Sequence, residues 1–135
     1  MKTPKEIVDL MLEGDAFSRW MDVSVKKLQK GHCSLSCTVR SEMLNGHQIA
    51  HGGISYSLSD SALAFAANSY GNKCVSIETS ISHLLPVKAG DTLTATCNEI
   101  HRGKTVAIYT VTIFNQREEK VSMFKGTVNI SSEIW

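Results

Sequence analysis

Asp60 is a lone carboxylate inside the one long helical pattern of this 135-residue chain, and the pair Gly52-Gly53 opens that pattern about two turns earlier. Paired glycines where a helix begins leave backbone N–H groups unpaired and free of side chains, so a carbonyl or phosphate oxygen can approach them closely. A carboxylate two turns on can take a proton from water. Together these groups can polarise a carbonyl and activate a water, provided both reach the same point.

The spacing sets a condition on that. The Gly53 N–H, at the positive end of the helix, is the expected oxyanion donor, a contribution of about 3 to 4 kcal/mol in the transition state. At about 1.5 Å per residue, Gly53 and Asp60 stand roughly 10 Å apart along the helix. A carbonyl and its attacking water must lie within about 3 Å of each. Two copies packed antiparallel across a two-fold axis meet this condition, because Gly53 of one then faces Asp60 of the other. The helix pattern agrees. Ile54, Leu58, Ala62 and Phe65 form one apolar face, and Gly53, Tyr56, Asp60, Leu63, Ala64 and Ala67 form a second, largely apolar one. A second subunit is the expected cover for that second face.

The remaining elements must hold this helix. Pro4 to Glu13 has helical spacing, and Asp15 can cap a short turn ending at Trp20, with Phe17, Trp20 and Met21 as packing residues. Asp22 to Lys30 and His32 to Arg40 alternate as two strands around Gly31. The loop Ser41 to His51 leads into the helix. Beyond Gly71-Asn72, four further strands are expected: Lys73 to Leu85, Thr92 to Ile100, Thr105 to Phe114 and Lys120 to Ser131. Short turns between the late strands imply antiparallel pairing. The expected fold is α+β, one domain over residues 1–135, with a curved sheet around one central helix, the hotdog arrangement.

Composition narrows the partners. A formal charge of +1 provides no basic field for nucleic acid, and apolar residues at 42% suit an ordinary globular core. No stretch approaches the roughly 20 apolar residues of a membrane span, and the first residues lack a signal-peptide core. A cytoplasmic protein is expected. Cys33, Cys37, Cys74 and Cys97 have no zinc spacing and are expected as buried free thiols, with no metal and no cofactor.

The segments Asn45-Gly46-His47, His51-Gly52-Gly53 and Leu58-Ser59-Asp60-Ser61-Ala62 resemble the PaaI-type branch of hotdog-fold acyl-CoA thioesterases, the phenylacetate-pathway group. Val75-Ser76, Pro86, Gly90-Asp91-Thr92-Leu93, Gly103-Lys104 and Phe124-Lys125-Gly126 agree with it. The resemblance implies hydrolysis of an acyl-CoA, such as hydroxyphenylacetyl- or phenylacetyl-CoA, without metal or cofactor. It implies Asp60 as the catalytic carboxylate, Gly53 as the backbone donor, Asn45 as a side chain orienting water or thioester, and Ser76 as a polar helper. His51 matches the histidine before the two glycines. It also implies a homodimer with shared sites, assembled as a dimer of dimers.

Asp60 is read as a general base ahead of direct attack to form an anhydride. Gly52 and His51 belong to the substrate-binding set, and Tyr56 and Leu63 to the residues that set pocket width. Arg102, Lys104 and Lys88 are candidates for the CoA phosphates. His47, His83 and His101 have no assigned role. Two other readings fit this fold: an acyl-CoA-binding module without catalysis, and a hydratase or dehydratase of acyl thioesters. The charge kept at Asp60 in an apolar seam argues against the first, and the His51-Gly52-Gly53 motif with Asp60 argues against the second.

Overall fold

The computed structural model describes residues 1–135. Helix α1 (Pro4–Gly14) starts from a reciprocal cap: the Thr3 hydroxyl accepts the Glu6 N–H, and the Glu6 carboxylate accepts the Thr3 N–H. It buries Ile7 and Val8. Helix α2 (Ala16–Trp20) follows at once, with the Asp15 carboxylate accepting from both the Ser18 N–H and the Ser18 hydroxyl. The Ser18 hydroxyl also meets Ser61 Oγ at 2.8 Å, which ties α2 to the central helix.

Strands β1 (Ser24–Gln29) and β2 (His32–Thr38) form the expected hairpin. Gly31 turns it with φ +75°, a left-handed conformation that favours glycine, and a Cβ there would press on the ends of the Glu99 and Tyr70 side chains. A short 3-10 turn (Ser41–Met43) precedes α3 (Gly52–Asn68). Then come β3 (Asn72–His83), β4 (Thr92–Arg102), β5 (Val106–Phe114) and β6 (Lys120–Ile134). Every pairing is antiparallel, in the order β1-β2-β4-β5-β6-β3. The strand after the helix thus pairs with the last strand, leaving the other edge of β3 free. Val75 and Ile77 on that strand are 66% and 61% exposed.

The sheet curls around α3, which packs against β2, β3, β4, β5 and β6, as the hotdog expectation requires. Leu58, Ala62, Leu63, Phe65, Ala66 and Ala67 are buried there beside Leu35, Leu93, Ala95, Tyr109, Val111 and Val128. Leu63 and Ala67, expected under a second subunit, are covered by the chain's own sheet; Leu63 reaches the space above Gly126, where a Cβ would meet its Cδ2 at 2.6 Å. Gly53, Ser57, Asp60 and Ala64 form a half-buried strip along the rest of the helix.

The far end of α3 is held by polar bonds. The Asn68 side chain donates to Ala64 O and Cys74 O and accepts from the Cys74 N–H and the Trp135 indole. The Glu99 carboxylate accepts from the hydroxyls of Tyr70 and of the fully buried Tyr109. Arg102 completes this cluster, with its Nη1 on Ala67 O and Tyr109 Oη and its guanidinium 3.9 Å over the Tyr70 ring. All four cysteines are buried free thiols. Burial pushes the Cys33 thiol up to about 12, and that of its cross-strand neighbour Cys97 upward as well. No helix is long and apolar enough to cross a membrane.

Candidate active site

The loop before α3 is pinned on both sides. Asn45 N–H donates to Ile49 O, His51 N–H to Met43 O, and Ala50 N–H to Val87 O on the β3–β4 connection. Asn45 Oδ1 accepts from the His47 and Ile49 amides, the local turn chemistry its sequence suggests. That leaves Asn45 Nδ2 without an acceptor in the protein. The same residue lines a cavity of about 390 Å3 together with Ile49, Gly52, Ser55, His83 and Pro86.

His51 is the N-cap of α3, and its Nδ1 accepts the Gly53 N–H at 2.9 Å. A lone pair on Nδ1 places the proton of the neutral ring on Nε2. This bond corrects one expectation: the Gly53 N–H is already satisfied, so it is not the open donor. The Ile54 N–H is also taken, by His51 O. The Gly52 N–H has no protein partner, and Gly52 faces the Asn45 cavity rather than the groove that contains Gly53. Helix-capping geometry makes this legible in retrospect, because an N-cap side chain accepts from the second or third helical N–H, and the second here is Gly53.

Asp60 lies two turns further on, lining a cavity of about 220 Å3 with Leu63, Ala64, Cys74, Val75, Ser76 and Val128. The structure therefore brings Asp60 and Ser76 together within one chain. Asp60 has neither an ion pair nor a protein hydrogen bond. Partial burial holds its carboxyl above the usual carboxylate range, and the charge of Asp15 at the head of α2 adds to the effect. A carboxylate in that state is a stronger base than a solvated one. The Asp15 contribution has no signal in the local motif around Asp60, since only the packing of α2 on α3 creates it.

Tyr56 leans across to β3, where its hydroxyl meets Thr79 Oγ1 at 2.6 Å, and it sits edge-on to Phe124 at 5.6 Å. Arg102 is not the free turn residue expected for CoA phosphates. It ends β4 and is committed to the C-terminal end of α3 through Ala67, Tyr70 and Tyr109. Lys88 and Lys104 are exposed. His83, without a role from sequence, projects its ring over Gly52, where a Cβ would stand 3.2 Å from its Nε2. Gly52 is thus both an open donor and a position whose missing side chain admits a neighbouring imidazole.

The family model of the thioesterase superfamily matches residues 47–122, the stretch that carries both glycines, Asp60 and Ser76. The chain belongs to the thioesterase superfamily. Among relatives of this thioesterase, the acyl-coenzyme A thioesterase PaaI of Escherichia coli K12 is 40% identical over 116 residues, 86% of this chain and 83% of the relative. The solved structure of the E. coli PaaI protein, from the phenylacetic acid degradation operon, superposes with a TM-score of 0.94 at 36% identity, covering 97% and 95% of the two chains. A hypothetical thioesterase from Streptococcus pneumoniae, solved with coenzyme A, superposes with a TM-score of 0.87 at 27% identity, covering 93% and 98%. The PaaI-type resemblance carried by the Asn45, His51-Gly52-Gly53 and Asp60 segments therefore holds, as does the hotdog fold. The chain is a thioester hydrolase.

Proposed function

We propose that this thioesterase hydrolyses aryl- or medium-chain acyl-CoA esters, such as phenylacetyl- or hydroxyphenylacetyl-CoA, at two sites shared across a homodimer. The observation that carries this reading is the division of the machinery along α3. An open N–H at Gly52 and an unpaired carboxylate at Asp60 lie about 12 Å apart along one helix. Neither half can hydrolyse a thioester alone. The free edge of β3, with Val75 and Ile77 exposed, is a template for pairing with the same strand of a second copy. Such pairing sets two α3 helices antiparallel, so that the first turn of one, with its Gly52 N–H, lies opposite Asp60 of the other.

In that arrangement the thioester oxygen takes hydrogen bonds from the Gly52 N–H and Asn45 Nδ2. His51 holds the first turn rigid through its bond to the Gly53 N–H, so the donor is positioned before substrate arrives. Asp60 of the opposite copy accepts a proton from water as the water oxygen bonds to the carbonyl carbon. The carbonyl π electrons move onto the oxygen, which becomes the oxyanion. Collapse of that intermediate breaks the C–S bond, and the CoA sulfur leaves as a thiolate that takes up the proton. Ser76, beside Asp60, is placed to orient the water. Direct attack by Asp60 would instead give an anhydride. The cavity of about 220 Å3 around the carboxylate leaves room for the water, which favours the general base.

We place the enzyme in the cytoplasm, in keeping with its four unpaired buried thiols. Pairing of such dimers into a tetramer, and a place in phenylacetate catabolism, belong to the same reading. Thiol release measured over a panel of acetyl-, octanoyl-, benzoyl- and phenylacetyl-CoA tests it. Turnover of the aryl or medium-chain esters with free acid and CoA in equal amounts is expected. Tight binding without thiol release across the panel would overturn the reading in favour of a non-catalytic acyl-CoA module.

A further inference from the structure

Phe17 and Trp20, expected as packing residues, are 51% and 44% exposed. They stand on α2, whose start is fixed by the Asp15 cap and by the Ser18–Ser61 bond to α3. Their rings lie 5.6 Å apart at 48°. The Arg40 guanidinium sits 5.0 Å over the Trp20 ring, donates through Nη2 to the Trp20 carbonyl and pairs through Nε with Glu42. Two large aromatic side chains are thus held in place at the surface with no apolar partner over them.

They wall a groove of about 300 Å3, whose lining also includes Leu44, His51, Gly53 and Ile54. The groove begins at the same helical turn as the open Gly52 N–H. At about 100° per residue, Gly53, Ile54 and Ser57 lie on one side of that turn and Gly52 and Ser55 on the other. Two recesses therefore flank that turn: one sets Asn45, Ser55 and His83 among aliphatic residues such as Ile49 and Leu84, and the other sets the Phe17 and Trp20 rings beside Leu44 and Ile54, with Glu42 and Ser57 also in its lining.

We propose that Phe17 and Trp20 form the acyl-group subsite and select an aromatic acyl group, an inference that rests on the thioesterase reading above. A thioester carbonyl carries two limbs of different chemistry. The thiol limb of CoA is a pantetheine arm whose amides need hydrogen-bond partners, which suits the recess of Asn45, Ser55 and His83. An aryl acyl limb suits the groove of Phe17 and Trp20, because only that recess offers aromatic rings to stack against. Adenine, the other aromatic part of the substrate, is separated from the sulfur by the whole pantetheine and diphosphate chain, which places it far from a groove that starts one residue from the carbonyl donor. An aryl ring entering between Phe17 and Trp20 finds tilted and edge-on partners at the 4.5 to 7 Å separations that aromatic pairs prefer.

The test is the ratio of kcat/KM for phenylacetyl-CoA to that for acetyl-CoA, whose methyl group is too short to fill the groove. In the full-length Phe17→Ala/Trp20→Ala protein this ratio should fall by about tenfold or more. Trp20→Phe, which keeps an aromatic wall, should restore most of it in the Phe17 background. A proportional loss on both esters, or no change on either, would overturn the subsite, the first pointing to a surface covered by another copy of the chain. If the double variant does not fold, Phe17→Leu read by the same ratio decides the matter. Failure of the wild-type enzyme to release thiol from any ester would sink the thioesterase reading itself, whereas an unchanged ratio in an active variant sinks only this subsite.

Discussion

Gly52→Pro should lower kcat on acyl-CoA by about two to three orders of magnitude while leaving the melting temperature within a few degrees of the wild type. The substitution removes the unpartnered N–H at the first position of α3 and sets a ring in its place beside His83. Removing one oxyanion donor typically costs about 2.7 to 4 kcal/mol of transition-state stabilisation. The backbone is suited to the change, and the exposed His83 ring, whose Nε2 lies 3.2 Å from where a Cβ on residue 52 would stand, has to turn aside. Proline is favoured at the first helical position, where its fixed φ suits the helix and no intrahelical bond is lost. The preceding residue, His51, already has ψ 138°, within the range that proline imposes on its neighbour. Steady-state kinetics with thermal denaturation separates the two effects. Were Gly53 the donor, Gly52→Pro would leave kcat intact.

Asp60→Asn should abolish most turnover, about 100- to 10,000-fold in kcat, and at the same time stabilise the protein at neutral and alkaline pH. Both effects come from one environment. Burial and the charge of Asp15 raise the Asp60 carboxyl above its ordinary range, so ionisation is harder in the folded chain than in the unfolded one. The unfolded state therefore loses that proton at lower pH than the folded state does. Between the two, and above both, the ionised carboxylate works against folding; below the unfolded value, where both forms are protonated, the cost is gone. The neutral amide introduced by Asp60→Asn carries no such cost. The gain in melting temperature of Asp60→Asn over wild type should thus be present at pH 8 and vanish toward strongly acidic pH. Wild-type kcat/KM should fall on the acid side at a pH above that of a solvated carboxylate. An equal gain at all pH values would mean that charge is not its origin.

The helix, the loop and the strands were legible because each has a local cause. Alternation in Val106 to Phe114 and helical spacing from Ile54 to Phe65 need no knowledge of the rest of the chain. The distance on which the proposed composite site rests was legible too, since the rise of a helix alone separates its first turn from Asp60. What local pattern could not supply was the use of individual donors. Gly52 and Gly53 are equivalent as residue types, and only the His51 ring, bonded to one of their N–H groups, distinguishes them. Arg102 reads as a turn cation, yet the Tyr70, Tyr109 and Glu99 cluster that claims it is assembled from the turn after α3, β4 and β5. Leu63 and Ala67 share a helix face with Asp60 by angle, but the curvature of the sheet brings β6 over Leu63, and the chain needs no partner there. Phe17 and Trp20 are the converse case: aromatic residues that composition assigns to a core and that the short α2 leaves beside the glycine turn.

Stripping the site to two halves on two chains makes the central claim directly measurable. Differently tagged Gly52→Pro and Asp60→Asn subunits are co-expressed, and the doubly tagged heterodimer is purified and assayed for thiol release from phenylacetyl-CoA. One of its two sites then combines an intact Gly52 with an intact Asp60, and the other contains both lesions. A shared site predicts about half of wild-type activity per dimer from two parents that are each nearly inactive. A verified heterodimer no more active than its parents would show that Gly52 and Asp60 act within one chain, and would contradict the shared site.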